Sequence, residues 1–139
     1  MGLFSKTSKP DLPDFWKTYD TSFKTPQPEV ISEVRFVVLD TETTGFDYEK
    51  DRMLCIGAVS LQNQVIDLNK GFEVFIHQEH YNAETAEIHG ILKETKIEQV
   101  SELEALKQFL AYLANAVIIA HHTKFDVTMI NKALERNHL

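Results

Sequence analysis

Residues 39–46 read LDTETTGF. Asp40 and Glu42 stand two apart at the end of a nearly unbroken apolar, β-branched run, VRFVVL (34–39). In extended chain, positions i and i+2 point to the same side, so the two carboxylates face one spot and Thr41 faces the opposite side. Like charges that close repel, and one must take a proton unless a cation lies between them. A hard divalent ion suits the pair, because Mg²⁺ takes oxygen ligands, commonly one or two carboxylates with waters and a substrate phosphate. Gly45 supplies either a plain turn or the close backbone approach that a ligand needs. A third acid, Asp126, follows the apolar run AVIIA (116–120) by a few residues. It falls in the first turn of a final helix with Thr123 as N-cap. Alone it reads as a carboxylate favoured by the helix dipole, by roughly 0.3–1 kcal/mol. Brought to one sheet edge with Asp40 and Glu42, it reads as a third ligand. His121 and His122 do not make a zinc site, since neighbours at a strand end diverge and no cysteine or spaced histidine pair joins them. One of the two could hydrogen-bond the site or the adjoining backbone. His77, His80 and His138 read as surface histidines.

The elements that must position these acids follow from periodicity. VRFVVL has the pattern of a strand buried on both faces. RMLCIGAVSL (52–61) reads as a second strand, QNQ (62–64) as a polar turn, and VIDLNKGFEVFIH (65–77) as a third strand. The three make an antiparallel meander with the first strand central. Residues 78–100 are polar and irregular. SELE (101–104) is a capping box, and behind it Leu103, Leu106, Leu110 and Leu113 step along one face of an amphipathic helix. AVIIA is a short strand, and the last helix starts near Lys124 with Val127, Ile130 and Leu134 on its buried side. This order is an α/β or α+β pattern with a mixed sheet. A strand reached through a helical crossover lies parallel to its partner, which sets AVIIA beside VRFVVL. Their C-terminal ends then share the edge where ligands gather in open α/β sheets.

Residues 1–30 form an arm that holds all four prolines. Within it, Phe15, Trp16, Tyr19 and Phe23 make an aromatic stripe on a short helix. That stripe either packs on the domain formed by residues 31–139 or docks a partner. The chain has 139 residues, 43% of them hydrophobic, enough for one core. Its net charge of −7 argues against a non-specific clamp on long nucleic acid, whose affinity comes from Lys and Arg on phosphates. It leaves open a small site that meets a phosphodiester through metal ions. The single cysteine, Cys55, excludes an intrachain disulfide and fits a reduced, cytoplasmic setting. No apolar run approaches the ~18 residues of a membrane span, so no membrane partner is expected. MGLFSK carries Lys6 where a myristoylation signal needs Ser or Thr, and there is no signal-peptide core.

FVVLDTETTGF (36–46) resembles the first motif of the DEDD, DnaQ-like 3′–5′ exonucleases, in which Asp-x-Glu-Thr-Thr-Gly follows the first strand. AHHTKFDVTMIN (120–131) is similar to their second motif, His-Asn-x-x-Phe-Asp. His121, Phe125 and Asp126 fall on motif positions, and His122 stands where asparagine is usual. IGAV (56–59) and IHGI (88–91) also resemble family stretches. The likeness spans residues 34–139 and, within the family, is to the proofreading (epsilon) subunit of bacterial DNA polymerase III. It implies a ribonuclease H-like mixed sheet and hydrolysis of 3′-terminal phosphodiesters of DNA with two Mg²⁺ or Mn²⁺ ions. The implied catalytic and metal-binding acids are Asp40, bridging both ions, Glu42, on the ion that activates water, and Asp126, on the second ion through water. Thr41, Thr43, Thr44, Phe46, His89 and Phe125 are the implied substrate contacts, with Phe46 and Phe125 either against the terminal nucleotide or in the core. The implied partners are a single-stranded DNA 3′ end and a DNA polymerase. An RNA substrate, or a non-catalytic module that binds a partner, are the alternative readings. The family's third motif, with its catalytic His or Tyr and fourth acid, lies some tens of residues beyond the second. This sequence ends at Leu139, thirteen residues after Asp126. The expectation is a C-terminally incomplete domain, a fragment rather than a degenerate relative, with at most feeble activity by itself.

Overall fold

The computed structural model describes residues 12–79, 90–91 and 97–139. Strand β1 (Phe36–Thr43) is longer than its apolar run and carries the DTET segment inside it. The β-branched threonines suit a strand, and the alternation continues unbroken, with Val37, Leu39, Thr41 and Thr43 all buried on one face. β1 pairs antiparallel with β2 (Met53–Gln62), from Phe36 opposite Leu61 to Glu42 opposite Cys55. On its other flank it pairs parallel with β6 (Val117–Ile119), Phe36 beside Val117 and Val38 beside Ile119. β1 is therefore an interior strand, and the crossover expectation holds.

The expected third strand is broken in two. β2 turns into β3 (Val65–Ile66) through Asn63 and Gln64, at φ 52° and 63°, the backbone of a type I′ hairpin. A 3₁₀ turn (Leu68–Lys70) follows, because the Asp67 side chain accepts the Asn69 N–H and competes with the ladder. β4 (Phe72–Ile76) then returns antiparallel to β2. β5 (Gln99–Val100) adds parallel to β4, in a stretch read from sequence as irregular; two residues are too short to show a period. Among the described residues the order is β5-β4-β2-β1-β6, with β3 on the end of β2.

Helix α2 (Glu102–Leu113) carries the chain from β5 to β6 across the sheet. Ser101 caps it as expected, its Oγ accepting the Glu104 N–H at 3.2 Å. The buried face is Ala105, Leu106, Phe109, Leu110 and Leu113, whereas Leu103 is exposed. The leucine spacing marked the stripe too narrowly, because Phe109 and the small Ala105 are as fully buried as Leu106. Arg35 closes the far end of α2, donating to the carbonyls of Leu113 (3.0 Å) and Tyr112 (2.9 Å). Helix α3 (Thr123–Arg136) has Met129 and Ala133 deepest, Ile130 and Leu134 buried, and Val127 half-buried. Its N-cap is His122 and not Thr123, whose hydroxyl instead donates back to the Ala120 carbonyl. Glu102 ties the two helices, accepting from Arg136 Nε and Nη2 and from Asn137 Nδ2.

Both helices cover one face of the sheet, where Val37, Leu39, Ile56, Val74 and Ile76 meet Leu106, Phe109 and Met129. Ahead of the sheet, α1 (Asp14–Ser22) lies along α2, with Phe15, Trp16 and Tyr19 packed against the same core. No helix among the described residues is long and apolar enough to cross a membrane.

Candidate active site

Alternation along β1 turns Asp40 and Glu42 away from the helices. Asp40 is exposed and Glu42 half-buried on the face of the sheet away from the helices, while Thr41 between them is buried on the helix face. The register with β2 shifts at this point: Glu42 faces Cys55, but Thr43 faces Met53. Leu54 is the extra residue, a bulge of the kind that re-aims side chains beside active sites. It packs with Cys55, Ile91 and Phe75 in a small cluster apart from the main core.

Among the described residues, the face that carries Asp40 and Glu42 is electrically negative. Cys55 reports it: burial, and then the charges of Glu73, Glu42 and Asp40, push its thiol up to about 12. Asp40 lies opposite Gly57, and Gly57 opposite Glu73, which puts a glycine between these two acids on adjoining strands.

Asp126 arrives from the other side. It lies in the first turn of α3, 4% exposed, and Thr41 Oγ1 donates to its Oδ1 at 2.8 Å. The fold does bring the three acids to one edge, but Asp126 meets β1 through Thr41, on the face opposite Asp40 and Glu42. β6 ends at Ile119, level with Val38. Beyond that level the described structure gives β1 no strand partner on this flank, and Asp126 approaches across the gap. Among the described residues no three His, Cys, Asp or Glu side chains are grouped as an ion-binding set. What the residues offer a metal is a pair of carboxylates on one face, with a buried third at the flank. That third has no hydrogen-bond donor to its second oxygen among the described residues. Hard oxygen donors of this kind suit Mg²⁺ or Mn²⁺.

The threonines of the motif brace the protein. Thr43 Oγ1 donates to the Gly45 carbonyl at 2.8 Å. Thr44 Oγ1 donates to Asp51 Oδ1 at 2.8 Å and accepts the Arg52 N–H at 3.0 Å. The Asp47 N–H donates to Asp51 Oδ2, so Asp51 is held from both sides. The close approach that Gly45 permits is to this carboxylate: a Cβ there would lie 2.5 Å from Asp51 Oδ2.

The braced loop presents Phe46, 79% exposed. Its ring lies 5.7 Å from that of Phe125, which also meets Tyr48 at 5.7 Å and stacks on His122 at 6.1 Å with planes 2° apart. Phe125 is half-buried, so it belongs to both the core and this aromatic shelf. Tyr48 and His122 were not among the expected contacts. His122 carried a signal, as the departure from the second motif; Tyr48 carried none, since only the loop's path brings it near Phe125. His89 lies outside the described residues, as does His80.

The exonuclease family model named for RNase T matches residues 37–138. The chain is 36% identical over 110 residues to the PolC-type DNA polymerase III of Thermotoga petrophila, covering 78% of this chain and 7% of that one. It is 33% identical over 106 residues to the DNA polymerase III epsilon subunit of Rickettsia typhi, covering 75% of this chain and 46% of the relative. It thus spans less than half the length of these relatives. Among solved structures, exonuclease I in its SSB-Ct complex matches with a TM-score of 0.65 at 15% identity, over 76% of this chain and 24% of that one. The zinc-bound E. coli ExoI–ssDNA complex matches equally well, TM-score 0.65 at 15% identity, over 76% and 24%. Those likenesses show the fold, a ribonuclease H-like mixed α/β sheet. With the family match over most of its length, the chain belongs to the DnaQ-like, RNase T-type exonuclease family.

Proposed function

We propose that this chain carries the metal-binding part of a 3′–5′ exonuclease acting on single-stranded DNA ends. The observation that supports it most is the placing of Asp40 and Glu42 on one face, away from the helices, at the end of an interior strand. Asp40 and Glu42 would hold the divalent ions, with Asp126 as the third acid at the flank of the strand. When bound, such a pair of ions supplies Lewis acidity for water attack on the phosphodiester and charge compensation for the leaving 3′ oxygen. The chain's own residues hold the substrate. The Phe46, Tyr48, Phe125 and His122 shelf offers stacking faces, which is sequence-tolerant and worth about 1–3 kcal/mol per base. Thr41, Thr43 and Thr44 act at one remove, by bracing the acids and the loop that bears Phe46. An acidic chain reaches its phosphate through the cations rather than through a basic groove. The relatives' names suggest a DNA polymerase as partner.

The test is incubation of the protein, at its full natural length, with 5′-labelled single-stranded DNA and RNA and Mn²⁺ or Mg²⁺. Stepwise loss of 3′ mononucleotides is expected, and Asp40→Ala should lower it by 10³-fold or more, on the order of 4 kcal/mol. Equal turnover by that variant would sink the assignment, and a preference for the RNA strand would move it to the RNA-directed reading.

A further inference from the structure

The one departure from the second motif falls on the aromatic shelf. His122 stands where that motif usually has asparagine, and it is the N-cap of α3. Its carbonyl accepts the Phe125 N–H at 2.7 Å. Positions three apart at a helix start are neighbours, so the two rings align, planes 2° apart and centroids 6.1 Å apart. The imidazole is not used to cap the helix, and the residue is exposed. Phe125 also holds the ring of Phe46 at 5.7 Å, and Phe46 is 79% exposed. Two exposed rings, one from α3 and one from the braced β1–β2 loop, thus converge on one half-buried ring. Flat ring faces turned to water are what unpaired bases stack on, whatever their identity. An asparagine at 122 would have no ring, so this chain has one stacking face more than the motif provides.

We propose that His122 is a base-stacking residue: one unpaired nucleotide lies on its imidazole while another lies on Phe46, so that the shelf takes two bases of a single strand. This rests on the single-stranded DNA reading above and extends it to a residue that the motif does not supply. Stacking needs a free base face, and in a duplex both faces are covered by neighbours. The ligand is therefore a single-stranded or frayed end. Stacking uses no cation and no hydrogen bond to a base edge, so this contact is independent of metal and tolerant of sequence.

The test is a titration, in EDTA and low salt, of a short oligothymidylate with the 139-residue chain. The strand carries a fluorescent purine analogue at its terminal or its penultimate 3′ position, whose emission falls when the base stacks. Both positions should be quenched by the unaltered chain. His122→Ala should weaken binding about fivefold or more and abolish the quenching at one position, and His122→Phe should bind within about twofold of the unaltered chain. His122→Asn is a favoured N-cap; its thermal midpoint should not fall, yet it should bind as weakly as His122→Ala. A capping role alone gives the reverse order, with Asn equal to the unaltered chain and Phe no better than Ala, and would overturn the proposal. Unchanged binding by His122→Ala, or equal competition by a blunt duplex, would overturn it too. Phe46→Ala separates the two claims. If the unaltered chain quenches neither position, the single-strand reading itself fails; if Phe46→Ala weakens binding while His122→Ala does not, only the role of His122 fails.

Discussion

Cys55 lies among the carboxylates of the face that carries Asp40 and Glu42 and titrates accordingly. Its ordinary value of 9.0 is raised to about 12, first by burial and then by Glu73, Glu42 and Asp40. A raised value means that the folded protein keeps the thiol proton after the unfolded chain has lost it. The unfolded state then binds fewer protons, so stability falls with rising pH across that interval. In EDTA, the contribution of Cys55 should be complete below about pH 9 and decline from there toward pH 12. Cys55→Ala should lack this part of the slope, as read by urea denaturation of the two proteins at matched pH. The direction of Asp40 and Glu42 was legible in the sequence, because the strand period of two is a local property. The Thr41–Asp126 hydrogen bond was not, because nothing local links residues so far apart.

At the level of elements, the loop between β1 and β2 shows how a motif glycine is used. Gly45→Ala would drive a methyl into Asp51, whose two oxygens are held by Thr44 and by the Asp47 N–H. The carboxylate cannot swing away without losing those bonds. We expect a loss of roughly 1–3 kcal/mol, the cost of leaving such groups unmade, visible as a lowered denaturation midpoint. Asp47 adds to the bracing: the backbone N–H groups of Glu49 and Lys50 hold its carboxyl below the usual carboxylate range. The sequence located the strands to within a few residues but missed the break at Asp67 and the bulge at Leu54. A side chain competing for the backbone, and one surplus residue against a partner strand, leave the hydrophobic pattern almost unchanged.

Across the whole molecule, the described part of the N-terminal arm, from residue 12 on, packs onto the chain's own core. Phe15, Trp16 and Tyr19 pack against it, and Phe23 is left exposed beyond Tyr19. Gln27 and Asn115 add ties, Gln27 Nε2 to the Asn115 carbonyl and Asn115 Nδ2 to the Thr25 carbonyl. Trp16→Ala should cost roughly 1–3 kcal/mol, less than the 3–5 of a fully buried ring. Phe23→Ala should stay within about 0.5 kcal/mol, as surface changes usually do. Chemical denaturation of the two variants checks this. Equal effects would mean that the arm is not seated as described, and would favour the view that its stripe is kept for a partner.

The sequence by itself determined most of the elements, the side of β1 on which Asp40 and Glu42 stand, and the family whose motifs they open. Periodicity and short motifs are local, and those facts are local. Only the tertiary structure decided that Asp126 meets the strand through Thr41, that Gly45 makes room for Asp51, and that Tyr48 and His122 join Phe46 and Phe125. Each of these depends on where two distant stretches come to rest, which is set by the packing of α3 against the sheet and by the path of one braced loop.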